Sequence, residues 1–244
     1  MRLTSSTSPQ GDTGFDRTGP ASDAVMVLSP GDDRVSELVV AAFDLNDRYT
    51  GDMRAIRAKV LAATDADPAG SSVRLLAVVG LEEGDAAAVL AANLGVVFAQ
   101  AGTATVVVDG GLGNPAMAAL FRVPAGPGLA QSLDDPDFPI QALPTAVPRL
   151  MVLPAGDASA AVENRLETRP IADLTGNWSL SGARQAIVSL PGMASRPTAL
   201  ANMVAGFDGV ILVAQQGRTR MSAIRRVIDA LDERGVPVLG SVIS

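Results

Sequence analysis

From residue 75 onward, short apolar runs alternate with segments whose apolar residues recur at helical spacing. The runs that we interpret as β-strands are Leu75–Val79, Thr105–Val108, Leu150–Leu153, Ala186–Val188, Gly209–Ala214 and Val236–Val242. Runs of this kind, rich in β-branched residues, are typical of parallel strands buried on both faces. The predicted helices lie near Asp85–Ala101, Pro115–Phe121, Ser159–Leu174, Thr198–Val204 and Met221–Arg234. This alternation predicts an α/β fold, a mostly parallel sheet with helices on both faces.

Three helices have informative patterns. Between Ala86 and Ala99 only Asn93 is polar, so this helix is predicted to be buried along most of its length. Residues 50–63 predict an amino-terminal helix that docks on the core. The last helix carries an apolar stripe, predicted to be its buried face, formed by Met221, Ile224, Ile228 and Leu231.

The chain divides into a tail and one domain. Its first residues are rich in Ser, Thr, Gly, Pro and Asp, so residues 1–33 are expected to be disordered. Residues 34–244 are expected to form a single α/β domain. The longest apolar run is shorter than a membrane span, and the amino terminus lacks the apolar segment of a signal peptide, which predicts a cytoplasmic protein.

Composition excludes several kinds of chemistry. The chain has 26 acidic and 19 basic residues and a net charge of −7, which disfavours binding to nucleic acid or anionic lipid. It contains no cysteine and no histidine. Disulfides, thiol nucleophiles, zinc sites and histidine acid–base catalysis are therefore excluded, and no metal site is expected.

The turn after the first predicted strand has the position of a phosphate-binding loop. Such a loop needs glycines, a lysine for the phosphate and a hydroxyl for Mg²⁺, whereas residues 81–88 read LEEGDAAA. Composition therefore favours an ordinary strand-to-helix turn in which Asp85 caps the helix. The layout also admits a dinucleotide site, because Asp109 ends the next strand as a ribose-binding acid would, but the glycine fingerprint is missing.

Three segments carry a resemblance to a known family. They are AANLGVVFAQAGTATVVVDGG followed by LF…PGL…L within Ala91–Leu133, LMVLPAGDA at 150–158, and Phe207–Ser244. In this order and spacing, the chain from about Asp52 to its end resembles the cytoplasmic ATPase domains of bacterial tyrosine kinases that accompany polysaccharide co-polymerases. That group also includes the partition and division-site ATPases. The resemblance implies a P-loop-NTPase-like sheet with deviant Walker motifs.

The first nucleotide motif of that family is altered. Its loop, Gly-Glu-Gly-Lys-Ser-Thr, matches Gly84, Asp85, Ala86, Ala87, Ala88 and Val89. Ala87 therefore replaces the lysine, and Ala88 replaces the magnesium-binding hydroxyl.

The other two motifs have also lost ionic groups. In DGGLGNP, residues 109–115, Asp109 is retained but Gly111 replaces the second acid. In AIVSLPG the family's aspartate is replaced by Ser189. These vestigial positions lead us to expect neither a cofactor nor enzyme activity.

Arginines on two helices are candidate interface residues. In the family's Glu-x-x-Arg-x-x-Arg assembly signature, Arg54 and Arg57 match the arginines, whereas Gly51 replaces the glutamate. A homo- or hetero-oligomer is therefore possible, although two solvated arginines would account for the pattern equally well. The arginines of the last helix are expected to form a solvated face.

The resemblance implies a role in exopolysaccharide biosynthesis, either of capsule or of adhesin type. We expect a catalytically silent pseudo-ATPase or pseudokinase subunit that scaffolds or regulates chain-length control and export. Its partner would be an inner-membrane polysaccharide co-polymerase, which would hold the cytoplasmic chain at the membrane periphery. The alternative is a nucleotide sensor that binds ATP without hydrolysing it.

Overall fold

The computed structural model describes residues 25–64, 73–135, 138, 140–179 and 182–244. The strands are β1 Arg74–Gly80, β2 Thr105–Asp109, β3 Ile140–Gln141, β4 Leu143–Pro144, β5 Leu150–Leu153, β6 Trp178–Ser179, β7 Gln185–Leu190, β8 Gly209–Ala214 and β9 Val238–Ile243. The α-helices are α1 Arg48–Ala63, α2 Ala86–Gln100, α3 Met117–Leu120, α4 Leu129–Asp134, α5 Ala160–Thr168, α6 Pro197–Met203 and α7 Met221–Asp232. Short 3₁₀ helices span Val40–Ala42, Ile171–Asn177 and Met193–Ser195.

The main sheet confirms the predicted fold class. Seven strands lie in the order β4-β5-β2-β7-β1-β8-β9, and every pair except β4–β5 is parallel. Strands β3 and β6 form a separate two-stranded ribbon. Helices cover both faces of the main sheet: α1, α2 and α3 lie on one face, and α4 to α7 on the other.

Strand β1 is interior, as predicted. It pairs with β7 on one side and β8 on the other, and its residues alternate between two hydrophobic cores. Leu75, Ala77 and Val79 pack into the core beneath α4 to α7. Leu76 and Val78 pack into the core beneath α2. Because both faces are covered, the strand is apolar from Leu75 onward rather than alternating in polarity.

Helix α2 is buried along most of its length, which confirms the prediction. Its polar residue Asn93 is fully buried but has its hydrogen bonds satisfied. The side-chain oxygen accepts from the Ala41 amide at 2.9 Å, and the side-chain nitrogen donates to the carbonyls of Leu38 (2.9 Å) and Val89 (2.8 Å). Asn93 therefore attaches residues 38–41 to α2.

The buried face of α7 only partly matches the predicted stripe, of which Leu231 is fully buried and Ile224 packs partly against the core. Met221 and Ile228 are 64% and 38% exposed, and the fully packed residues are Ala223, Val227 and Leu231. The helix packs chiefly against α6, and that packing decides which face is buried. The helix predicted at 159–174 also ends early, at Thr168, because the residue before Pro170 is driven into an extended conformation.

The division into a tail, 1–33, and a single domain, 34–244, is a proposal. Residues 1–24 lie outside the described part of the chain. Leu28, inside the expected tail, is buried, and its amide donates to the carbonyl of Ala42 at 2.8 Å. Among the described residues, no helix combines the length and the hydropathy needed to cross a bilayer.

Candidate functional site

The turn between β1 and α2, residues 81–85, is fastened to two neighbouring segments. The Leu81 amide donates to the carbonyl of Val213 in β8 at 3.0 Å. From the loop after β7, the Ala194 amide donates to the Leu81 carbonyl (3.0 Å) and the Gly192 amide to the Glu82 carbonyl (3.2 Å). Gly84 has a φ of +117°, a conformation that side chains other than glycine rarely adopt. The protein backbone alone therefore fixes the shape of this turn.

The turn presents a run of free backbone donors. Within the described part of the chain, none of the amides of residues 82–88 donates to an acceptor. They lie in the turn and at the positive end of α2, an arrangement that binds anions. The side chains oppose that function, because Glu83 and Asp85 are exposed carboxylates on the same turn. The backbone amides of the turn therefore favour an anion, whereas its carboxylates favour a cation.

Asp85 does not cap α2, contrary to the sequence-based expectation. It occupies the residue before Ala86 but has a helical backbone conformation, φ −90° and ψ 0°, and its side chain makes no capping hydrogen bond. Capping requires an extended backbone that turns the side-chain oxygen toward the first helical amides. Oδ1 of Asp85 instead accepts from Nδ2 of Asn114 at 3.2 Å.

Ala87 and Ala88, the two replacements in the first motif, are buried inside the protein. Ala87 exposes 1% of its surface, and a Cβ built on Gly80 would lie 3.2 Å from the Ala87 Cβ. Ala88 is also buried. This part of α2 therefore packs directly against the end of β1.

Asp109 organises its own loop. The carboxylate is 1% exposed and accepts from the amides of Gly111 at 3.1 Å and of Ala116 and Met117 at 2.8 Å. Burial raises the pKa of Asp109, the three amides act in the opposite direction, and the nearby Asp85 carboxylate adds to the increase. The Asp109 carboxylate thus binds backbone amides of the loop that follows β2 and of the first residue of α3.

Gly111 is required by that loop. A Cβ on Gly111 would lie 2.8 Å from the Asn114 carbonyl oxygen and 3.2 Å from Oδ1 of Asp109. Gly110 is equally constrained, because its Cβ would lie 2.5 Å from the Ser189 carbonyl oxygen. Gly111, at the position of the family's second acid, therefore lies in a loop that leaves no room for a side chain.

Ser189 joins the other two motifs in space. Strand β7 lies between β1 and β2, and Ser189 is the register partner of both Val78 and Asp109. It is buried, and its carbonyl accepts from the Gly110 amide at 2.9 Å. The predicted positions from Gly84 to Ser189 therefore converge at the carboxyl edge of the sheet, where ligands bind in open α/β folds.

A cleft of about 300 Å³ opens where the motif loops meet. Glu83, Gly111 and Pro191 line it from those loops, and α5 and the α6 region add Glu163, Glu167 and Arg196. Arg196 pairs with Glu167. Sequence reasoning missed these three residues. The spacing of Glu163 and Glu167 by one helical turn was a signal, but only the fold shows that they face the motifs.

The cleft is acidic, and the described residues contain no cluster of three or more side chains suited to a metal ion. A larger cavity, about 790 Å³, lies between residues 30–44 and Arg122, away from the three motifs. We locate the candidate site in the smaller cleft because the motif residues border it.

Arg54 and Arg57 lie on α1, away from the cleft. Arg54 donates to the Leu45 carbonyl at 2.8 Å, and Arg57 donates to the Val97 carbonyl of α2 at 2.7 Å. Burial lowers the pKa of Arg57, with a further contribution from Arg54. Both arginines therefore hold α1 in place, and their role in assembly stays a prediction.

Comparison with known proteins places the fold. No family model matches the chain. Tyrosine-protein kinase CpsD of Streptococcus agalactiae serotype III is 26% identical over 183 residues, covering 72% of this chain and 75% of that protein. The chimerical protein CapA2B2 superposes with a TM-score of 0.68 at 21% identity, covering 85% of this chain and 89% of the other. The kinase domain of the Escherichia coli tyrosine kinase ETK gives 0.68 at 17%, covering 91% and 89%.

These findings contradict the expectation that the chain is not an enzyme, because its relatives in sequence are named tyrosine-protein kinases. The expectation assumed that a site without the family's ionic side chains has no enzyme activity. Removing a lysine about 4 Å from a phosphate forfeits roughly 1 to 4 kcal/mol of attraction, or one to three decades of affinity. That loss weakens binding but does not establish inactivity, since the amides of residues 82–88 remain available. The chain is related in sequence to the bacterial tyrosine kinase CpsD, and it has the P-loop-NTPase-like α/β fold of bacterial tyrosine kinase domains.

Proposed function

We propose that this chain acts in bacterial exopolysaccharide chain-length control and export, as a subunit that binds the cytoplasmic side of an inner-membrane polysaccharide co-polymerase. The observation that carries the proposal is the sequence relationship to CpsD, which extends over 72% of the chain and is not confined to one motif. Kinases of this family accompany co-polymerases, and the same partner is proposed here. The chain would reach the membrane periphery through that partner.

The hydrogen bonds that hold the candidate site support a scaffolding or regulatory role. The turn at residues 81–85 is held by bonds to β8 and to the loop after β7, and Asp109 is bonded to its own loop. These contacts lie within the protein. We expect a partner to bind a surface whose shape they hold. Neither this role nor the nucleotide binding proposed below requires an inactive site.

The test combines binding with polymer length. The tagged chain is expressed with the co-polymerase of the same organism, and the two should co-purify from detergent-solubilised membranes. Deleting the gene for the chain should shift the length distribution of the exopolysaccharide on gels, and a plasmid copy should restore it. An unchanged distribution together with no co-purification would contradict the proposal.

A second candidate function is nucleotide-dependent regulation. The free amides of residues 82–88 favour it, because they are the part of a phosphate site that does not depend on side chains. A ligand that binds only the folded state raises its stability. Millimolar Mg-ATP should therefore raise the melting temperature, whereas adenosine, which lacks phosphates, should not. Equal melting temperatures with ATP, with adenosine and without ligand would exclude this role.

A further inference from the structure

The surface of α7 has an unusual composition. Six exposed residues of α7 and the turn before it form what we call the α7 patch: Arg218, Arg220, Met221, Arg225, Arg226 and Ile228. No acidic residue occurs between Gln215 and Ile228. Within the described part of the chain, none of these four arginines forms an ion pair. The amino-terminal part of α7 is therefore basic on a protein whose net charge is −7, and the nearest acid on the same exposed face is Asp229, one turn after Arg225.

The apolar members of the patch lie among the cations. Met221, Arg225 and Ile228 are spaced by four and three residues, so they lie along one line of the helix. Met221 is 64% exposed and Ile228 is 38% exposed. The sequence pattern assigns both to the buried face, and the fold leaves both outside. Their exposure therefore needs an explanation other than core packing.

The charge order along α7 is the reverse of what stabilises a helix. Arg218 and Arg220 precede the helix, and there is no acidic residue in its first turn, whereas Asp232 and Glu233 stand at its end. The helix dipole favours acids at the amino-terminal end and bases at the carboxyl-terminal end. The arginines at the amino-terminal end thus oppose the stability of the isolated helix, and their positive charge adds to that of the free helix amides.

The turn that carries the first two arginines is well defined. The Gln215 amide donates to Oγ1 of Thr219 at 2.9 Å, and the Thr219 amide donates back to the Gln215 carbonyl at 3.0 Å. The Arg220 carbonyl then accepts from Ala223 at 2.9 Å. Arg218 and Arg220 are consequently held beside the first turn of α7, next to the rest of the patch.

We propose that the α7 patch is a docking surface for an anionic lipid bilayer. A group of four or more arginines on a helix surface attracts acidic headgroups, and exposed apolar side chains among them enter the interface. A bilayer fits better than an acidic peptide, because neither of the two cavities described above is lined by a residue of the patch. The net charge argues against lipid binding over the whole molecule, but screening limits repulsion from distant acids to about 10 Å.

The test is sedimentation with lipid vesicles, which requires no other protein and so is independent of the co-polymerase proposed above. Vesicles of phosphatidylcholine with about one third phosphatidylglycerol should bind the full chain, and vesicles of phosphatidylcholine alone should not. Each basic residue near an anionic surface is worth about fivefold in partitioning. The pair Arg225→Gln and Arg226→Gln should therefore lower the bound-to-free ratio at least about tenfold, and added salt should do the same for the unmodified chain.

The matched control reverses the charge of two arginines outside the α7 patch. Arg48→Glu with Arg184→Glu changes the net charge as much as Arg225→Glu with Arg226→Glu, but both control arginines are exposed and outside the patch. Only the second pair should abolish sedimentation. Met221→Ser with Ile228→Ser keeps the charge and should weaken binding to the same vesicles. Equal loss in the control pair, binding to neutral vesicles, or binding to soluble polyglutamate but not to vesicles would overturn the proposal.

Discussion

The backbone N–H of Gly111 donates to Oδ1 of Asp109 at 3.1 Å, and a side chain on Gly111 would meet the same oxygen at 3.2 Å. Asp109 therefore holds the loop after β2 in place and leaves little room for a side chain at position 111. Asp109, the acid that the second motif keeps, and Gly111, the position where the motif has lost an acid, are therefore in contact within the same loop.

Restoring an acid at Gly111 should destabilise the fold. Gly111→Asp places a Cβ 2.8 Å from the Asn114 carbonyl oxygen and a second carboxylate beside a buried one. Overpacking of this kind costs about 1–3 kcal/mol, or a fall of several degrees in melting temperature. Calorimetry measures the fall. Gly126→Asp is the control, because a Cβ there meets nothing within 4 Å, and a similar fall in both variants would contradict the loop argument.

The stability that Asp109 contributes should depend on pH. Burial raises its pKa, so the folded state holds the proton more tightly than the unfolded state. The contribution of Asp109 to the free energy of unfolding is then largest at low pH and falls as the pH rises through the raised pKa. Urea unfolding of the wild type and Asp109→Asn measures it. Their difference should decrease from about pH 4 to about pH 7. An increase would mean that the three amides outweigh burial.

Restoring the first motif should strengthen nucleotide binding. Ala87→Lys with Ala88→Ser returns the cation and the hydroxyl, and calorimetric titration should show Mg-ATP binding at least about tenfold tighter. Gly111 and Ser189 would still leave the metal ion without its acids, so the gain should stay modest. Ala86→Lys, the same charge one residue earlier, is the control. Equal gains in both would show that added charge, not position, is responsible.

Asn93 should be the main attachment of residues 38–41 to α2. Asn93→Ala leaves the Ala41 amide and the Leu38 carbonyl without their buried partner, which costs about 1–3 kcal/mol per unsatisfied group. Denaturant unfolding should show this loss, and protease should cut residues 38–41 sooner. Asn164→Ala, on the exposed side of α5, should change stability by less than about 0.5 kcal/mol. Unchanged stability of Asn93→Ala would show that the apolar contacts of the segment suffice.

The parts of the fold that depend on local pattern were predictable. β5 at Leu150–Leu153 and β8 at Gly209–Ala214 have the predicted bounds, because their runs are apolar on both faces and end at turn residues. The face of α7 was not predictable. Its strongest hydrophobic spacing includes Met221 and Ile228, and only the fold shows that Ala223 and Val227 are buried instead.

The sequence predicted which residues of the candidate site lie at the strand ends, but it did not predict the contacts and hydrogen bonds that they make. The sequence places Asp109 and Ser189 at strand ends, whereas their direct adjacency depends on the insertion of β7 between β1 and β2. The Asp85 cap failed because a backbone conformation, and not residue type, decides capping. Glu163 and Arg196 reach the cleft from elements far away in sequence, so only the fold shows that they face the motifs.

The central position of β7 has a consequence for the order in which the protein can assemble on the ribosome. Strands β1 and β2 are made early, but neither pairs with the other, and both wait for residues 185–190 to be synthesised. Until then the edges of β1 and β2 that will face β7 are open, a state that favours aggregation and slows folding of sheets with distant strand pairs. The buried α2 has the same difficulty, since its apolar surface is covered only when that sheet is complete. A nascent chain that stalls before β7 would therefore be a substrate for chaperones and proteases, and would have no site at all.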